Sequence, residues 1–246
     1  MEMSEHFTNI SPFFFKWRGY LFLFLLPIIL LSFIGFAFPF ESHMVDLFWE
    51  FGCFLLSLLG LSVRAFTVGT VPHGTSGRST REKRADILNT TGMYSIVRHP
   101  LYLGNYLMAL GIFLFPRTWF LPIIGSLALI LHYERVIFGE EEYLKGKFGE
   151  EFRIWAEKVT TIIPRFRNYQ PPSLSFSWKV ALRRESYGLF GIITAFFFLD
   201  MIGDSIVYKR ITFDPVWGPL FVIGFLFFLV MQILKKKTNL LRVNGR

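Results

Sequence analysis

Two short runs hold most of the residues that could do chemistry. The first is Arg98-His99-Pro100-Leu101-Tyr102-Leu103-Gly104, followed by Asn105 and Tyr106. Pro100 drives the residue before it to an extended conformation and can open the next helix. Arg98 and His99 are therefore expected at a helix N-terminus. Backbone amides there, with a guanidinium, suit a carboxylate or a phosphate. Gly104 would let another group come close to the helix. The plainer alternative is an interfacial arginine and a helix-starting proline. The second run is Glu140-Glu141-Glu142. Carboxylates at such a place can accept hydrogen bonds from ribose hydroxyls and suit a cationic sulfonium. They would also fit an ordinary helix start, because acids favour the first turn.

The elements that must position these residues are membrane spans. The chain has 246 residues, 52% apolar and only 18% charged. Its mean hydropathy is +0.44. A soluble domain is nearer a quarter charged. An ordinary cytosolic enzyme and a disordered chain are both excluded on these grounds. Six apolar stretches stand out, at residues 20–38, about 47–63, 101–115, 119–133, about 187–207 and 216–234. The first is 19 residues with no charge, enough to cross a bilayer. It lacks a small-x-small cleavage pattern and is expected to be a retained anchor. The third and fourth are separated only by Pro116-Arg117-Thr118 and read as a tight helical hairpin. Trp217 is expected at one interface of the sixth. The expected fold is thus all-α: a polytopic membrane helix bundle in one domain over residues 1–246, with an amphipathic cytoplasmic helical segment. That segment is 133–164, where Tyr143 or Leu144, Phe148, Phe152, Trp155 and Val159 recur at helical spacing.

Basic residues orient the bundle. Of 26 Lys and Arg, 23 lie in the N-terminus, residues 64–100, residues 135–186 and the C-terminus. The other side has Arg117, Lys209 and Arg210. The positive-inside rule puts both termini and both long loops in the cytoplasm. The basic loop 67–87, with Arg78, Arg81, Lys83 and Arg84, could hold an anionic group or simply lie near anionic lipid. Its glycines follow no strand, so they form no nucleotide fingerprint. The single cysteine, Cys53, excludes a disulfide framework. His6, His43 and His73 are scattered, and no metal site is expected. Asp200 and Asp204, four apart in the fifth span, share a helix face. They are expected at a solvated outer helix end with no catalytic role.

In this order and spacing the two runs resemble the superfamily of isoprenylcysteine carboxyl methyltransferases and phospholipid methyltransferases. The resemblance rests on Arg98-His99-Pro100-x-Tyr102-x-Gly104, then a helix pair, then Glu140-Glu141 with Leu144, Phe148-Gly149, Val159 and Pro164. It covers residues 88–164, the expected methyltransferase core. Phe152 and Trp155 stand where the family often has tyrosine. The last two spans, 187–234, fall outside the pattern.

The resemblance implies S-adenosylmethionine as methyl donor and a donor site lined by Arg98, His99, Pro100, Tyr102, Gly104, Tyr106, Glu140, Glu141, Phe148 and Trp155. Arg98 and the amides near His99 would hold the methionine carboxylate, and Glu141 the ribose hydroxyls or other polar adenosyl groups. Tyr102, Tyr106, Phe148 and Trp155 would pack the adenine. Arg98 and His99 would be nearest the chemistry. An anionic oxygen acceptor needs no general base, whereas a protonated amine would. The basic surroundings favour an anionic lipid head group. The Gly-Thr-Ser-Gly-Arg loop and residues 88–95 also resemble the bacterial branch that includes lipid A 1-phosphate methyltransferases. In that case Arg78, Arg81, Arg84, Arg165 and Arg167 would meet the lipid phosphates, in the bacterial inner membrane. Alternatives are methylation of a prenylcysteine carboxylate or an ethanolamine lipid, an NADPH-dependent sterol-type reductase, and a non-catalytic membrane scaffold. No nucleic-acid partner is expected, and no residue pattern sets an oligomeric state.

Overall fold

A computed structural model describes residues 21–72 and 86–243. The described residues form seven α-helices and no strand. Helix α1 is Leu21–Leu31, α2 His43–Thr70, α3 Pro100–Leu114, α4 Phe120–Phe148, α5 Glu150–Lys158, α6 Trp178–Tyr208 and α7 Trp217–Lys237. Helices α2, α4, α6 and α7 are long and apolar enough to cross a bilayer, and α3 is a shorter apolar helix.

Local chemistry sets the boundaries. Ser42 caps α2, its Oγ accepting from the Val45 amide, and Ser177 caps α6 in the same way through Val180. Pro100 occupies the first turn of α3, where a missing N–H costs nothing. Asp214 caps α7: its Oδ1 accepts from the Val216 and Trp217 amides at 2.6 and 3.1 Å. Gly149, at φ +53°, ends α4 and turns the chain into α5.

The expected apolar stretches map onto helices, with three revisions. Of the 20–38 stretch only Leu21–Leu31 is helical among the described residues, with Pro27 inside it, and the chain turns at residues 32–35 instead of running on as one 19-residue span. Helix α2 begins before and ends after the 47–63 run. Helix α4 does not stop near Tyr133 but continues unbroken to Phe148. Glu140, Glu141 and Glu142 therefore lie inside a long helix rather than at a helix start, and only Glu150–Lys158 forms a separate amphipathic helix.

Helix α2 packs on α3 and α6, with α7 outside α6 and α4 beside α3. Phe54, Phe115, Phe196 and Trp217 form one aromatic knot, with ring centroids 5.3–5.5 Å apart. Many large apolar residues point outward, among them Phe24, Leu55, Leu127, Ile223 and Leu226. A surface so apolar suits lipid rather than water.

Two expectations about residues outside the motif core are corrected. Trp217 is not interfacial but wholly buried, and its Nε1 donates to Glu50 Oε2 at 2.6 Å. It sits there because the first turn of α7 meets the aromatic knot beside α2. Asp200 and Asp204 are not solvated but buried, because the segment before α7 and the start of α2 cover the end of α6.

Candidate active site

The 88–99 segment and the chain after α5 are tied together by backbone hydrogen bonds. The Arg98 and His99 amides donate to the carbonyls of Thr160 and Thr161 at 2.8 and 3.2 Å. The Arg165 amide returns to the Ile96 carbonyl at 2.9 Å. Leu88, Phe152, Trp155 and Val159 form a small second core, packed by Tyr94, Leu144 and Phe148. Trp155 Nε1 donates to the Tyr94 carbonyl at 3.1 Å. The same packing pushes the Tyr94 phenol above its usual range. A rigid platform thus forms at one end of the bundle.

On that platform Arg98 uses all five of its N–H groups. Nε and Nη2 meet the two oxygens of Glu141 at 2.9 and 3.3 Å. Nη1 donates to the Ala156 and Val159 carbonyls at 2.7 and 2.9 Å, and Nη2 also to Thr161 Oγ1 at 2.6 Å. The expected role of Arg98 and its neighbouring amides as an open carboxylate cradle does not fit this geometry, because their donors are engaged within the chain. Arg98 is instead a clamp joining α3, α4 and the end of α5.

His99 stands at the N-cap of α3 between two carboxylates. Its Nε2 is 2.9 Å from Glu141 Oε1, and its Nδ1 is 3.7 Å from Glu140 Oε2. Tyr102 donates to Glu140 Oε1 at 2.7 Å and packs on Tyr133, with centroids 4.8 Å apart. Arg98, His99, Tyr102, Glu140 and Glu141 thus form one connected constellation across 43 residues of sequence. The spacing of the acids explains it: Glu140 and Glu141 are adjacent on α4, both face His99, and Glu140 also reaches Tyr102 while Glu141 also reaches Arg98.

The other expected residues fall into place differently. Pro100 is buried at the start of α3. Tyr106 lies a turn deeper and donates to Ser126 Oγ at 3.1 Å, joining α3 to α4. Gly104 does not face the site's carboxylates but lets α2 approach: a Cβ there would sit 2.5 Å from Arg64 Cγ and 2.7 Å from the Gly60 carbonyl oxygen. Phe148 and Trp155 wall the platform as part of its small core. Arg165 and Arg167 are exposed at this same end. Arg78, Arg81 and Arg84 lie outside the described residues.

The sequence reading missed a second ionic group here. Arg64 of α2 pairs in fork fashion with Glu185 of α6, at 2.8 and 2.9 Å, and donates to Asn105 Oδ1 at 2.6 Å. It ties α2, α3 and α6 together next to Gly104. An arginine directly after an apolar run needs a partner, and that was the available signal.

Comparison with known proteins then gives consistent relatives. A family model described as phospholipid methyltransferase matches residues 73–151. The chain is 31% identical over 86 residues to a protein-S-isoprenylcysteine O-methyltransferase of Schizosaccharomyces pombe, covering 35% of this chain and 36% of that one. It is 34% identical over 114 residues to the enzyme of the same name from Saccharomyces cerevisiae, covering 46% and 47%. It is 30% identical over 160 residues to the cobalt-zinc-cadmium resistance protein CzcN of Cupriavidus metallidurans, covering 63% and 72%. The chain spans from about a third to nearly three quarters of these relatives' lengths. No solved structure matches it.

Proposed function

We infer that the chain is a member of the superfamily of phospholipid and isoprenylcysteine methyltransferases, whose methyl donor is S-adenosylmethionine, and that it methylates an anionic oxygen of a membrane-lipid head group. The observation that carries the reading is the single constellation of Arg98, His99, Tyr102, Glu140 and Glu141 at one end of a membrane bundle.

The residues present fit the donor. S-adenosylmethionine supplies a methyl group activated by a sulfonium. Glu140 and Glu141 keep their carboxylates partly exposed, which suits ribose hydroxyls and a nearby positive charge. Tyr102 and Tyr133 offer stacked aromatic faces beside those acids. Arg98 contributes by holding Glu141 in place, and His99 by bridging the two acids. Methyl transfer is an in-line displacement, so alignment and exclusion of water can supply much of the rate.

The position of His99 bears on the acceptor. A ring nitrogen 2.9 Å from a carboxylate carries the proton, so Nε2 donates to Glu141. Only Nδ1 could then accept, and it faces Glu140. His99 is therefore not open as a base toward an acceptor. An anionic oxygen, which needs no base, fits better than a protonated amine. The exposed Arg165 and Arg167 at the same end favour a phosphate, and lipid A 1-phosphate is the acceptor we favour. A prenylcysteine carboxylate is the second reading, favoured by the two yeast relatives' names. We further propose that this end faces the cytoplasm, in a bacterial inner membrane.

The test is methyl transfer from isotope-labelled S-adenosylmethionine to lipid A, phosphatidylethanolamine and a prenylcysteine. Label in lipid A alone supports the first reading, and label in the prenylcysteine replaces it with the second. No label in any acceptor, together with no donor binding, overturns the methyltransferase reading.

A further inference from the structure

The opposite end of the bundle holds a second polar group, which methyl transfer does not use. Along α2, α6 and the loop before α7, five carboxylates are buried there: Asp46, Glu50, Asp200, Asp204 and Asp214. The positive side chains against them are few. Arg117, from the turn between α3 and α4, pairs with Asp46 and also donates to the Ala37 carbonyl at 2.9 Å. Glu50 accepts from Trp217 Nε1. His43, the first residue of α2, faces the remaining acids.

We propose that His43, Asp204 and Asp214 bind one divalent transition-metal ion, of which zinc is the type. Their ligand atoms all lie within 4.8 Å of one another. Four ligands around zinc, at about 2.0–2.1 Å, sit roughly 3.3 Å apart, so small side-chain rotations close the gap. His43 Nε2 is already 3.1 Å from Asp214 Oδ2.

A second observation points to a ligand. Asp214 Oδ1 is used by the α7 cap, but Oδ2, in a side chain that is 0% exposed, makes no well-formed hydrogen bond among the described residues, and the polar atom beside it is His43 Nε2. Oδ2 is aimed at His43 and Asp204. One turn before Asp204 on α6, Asp200 Oδ2 is also buried without a hydrogen-bond partner. Buried charges are ordinarily paired or bound to metal. One imidazole and two carboxylates suit a borderline divalent ion, whereas calcium takes six to eight oxygens. His43 is a third exposed, which leaves a path from water. The three ligands come from the start of α2, the end of α6 and the segment before α7. A bound ion would staple those three ends together.

This site lies about 30 Å along α2 from Arg64, by helix rise. It therefore stands or falls separately from the methyl-transfer reading. The test uses the full chain in detergent, purified without a metal-affinity tag. It is dialysed against Zn2+ and then against zinc-free buffer, and metal content is measured. One retained zinc per chain is expected, removable by EDTA with a fall in melting temperature. H43A and D204N should weaken zinc binding by at least about tenfold. Cobalt substitution should give the visible absorption of a four-coordinate ion, absent in both variants. Zinc retained equally by H43A and D204N, or no zinc retained by the unsubstituted chain, overturns the proposal. If H43A does not fold, D204N alone decides, and folding is checked by circular dichroism.

Discussion

The two ends of this bundle handle charge in opposite ways. At the end with Arg98, ionic side chains are matched. Arg98 meets Glu141, Arg64 meets Glu185, and His99 stands between two acids. At the far end, among the described residues, five carboxylates are buried and two of them form ion pairs, Asp46 with Arg117 and Asp214 with His43. A matched network fixes geometry, which is what a site working by alignment needs. An unmatched one stores negative charge that must be neutralised by a proton or a cation. The difference separates a site built to hold a shape from a site built to receive an ion.

The sharpest way to break this contrast is to remove Arg117, the arginine that pairs with a buried acid at the unmatched end. Arg117→Met leaves Asp46 buried beside four other acids. Stripping one partner from a buried ion pair costs about 3–5 kcal/mol. Denaturation in mixed micelles should show a loss of that size. Methyl transfer per folded molecule should survive, since Arg117 is at the opposite end from Glu141. A melting temperature unchanged in Arg117→Met would show that the far-end acids are already neutral and that the contrast in charge is empty.

At the matched end the informative change keeps the charge and removes the fork. Arg98→Lys leaves one ammonium for acceptors on Glu141, Ala156, Val159 and Thr161. Lysine cannot reproduce that planar geometry. We expect about 2–3 kcal/mol of destabilisation from unmet buried acceptors. Turnover should fall by about a hundredfold, because the acids at 140 and 141 lose their placement. Full activity in Arg98→Lys would mean that charge alone suffices, and the clamp would be dismissed.

The same contrast explains what was legible in the sequence. The Arg98 constellation of the matched end is written in two contiguous runs, 98–104 and 140–142, so those members can be named from residue order alone, whereas the Arg64–Glu185 pair beside it cannot. The helices of the bundle were legible too, because they lie on apolar runs, and the short α5 was legible from its amphipathic spacing. What the runs could not give was saturation. Nothing in the order of residues says that Arg98 spends every donor on its own chain, or that Gly104 admits α2 rather than a ligand. The far end was not legible at all. His43, Asp46, Glu50, Arg117, Asp200, Asp204 and Asp214 come from four separate parts of the chain. Only the packing of α2 against α6 and α7 brings them together. Asp200 and Asp204 share a helix face in sequence, but their burial depends on that packing.

A smaller effect sharpens the far end further. Trp217→Phe keeps the aromatic knot and removes only the N–H given to Glu50 at 2.6 Å. A buried carboxylate losing its donor should cost about 1–3 kcal/mol. Combining Trp217→Phe with Glu50→Gln should recover part of the loss, because the charge goes with the donor. A double variant as unstable as the sum of the two singles would show that Trp217 acts by packing alone.

The smallest expected effect lies on the matched end, and it tests whether matching by itself matters. Arg153 on α5 bridges Glu150 and Glu157 at 2.5 and 2.9 Å, the densest ionic contact near the site by distance. All three side chains are more than half exposed. Arg153 holds the Glu150 carboxyl below its ordinary value of 4.5. A lowered folded-state value means that any contribution exists above pH 4.5 and fades as the pH falls through the lowered value. Water and salt screen such a pair, so Arg153→Ala should leave melting temperature and methyl transfer unchanged at neutral pH. If instead it lowered turnover as Arg98→Lys does, the distinction between a buried clamp and a surface pair would fail. The platform would then depend on its total charge rather than on the five bonds of one arginine.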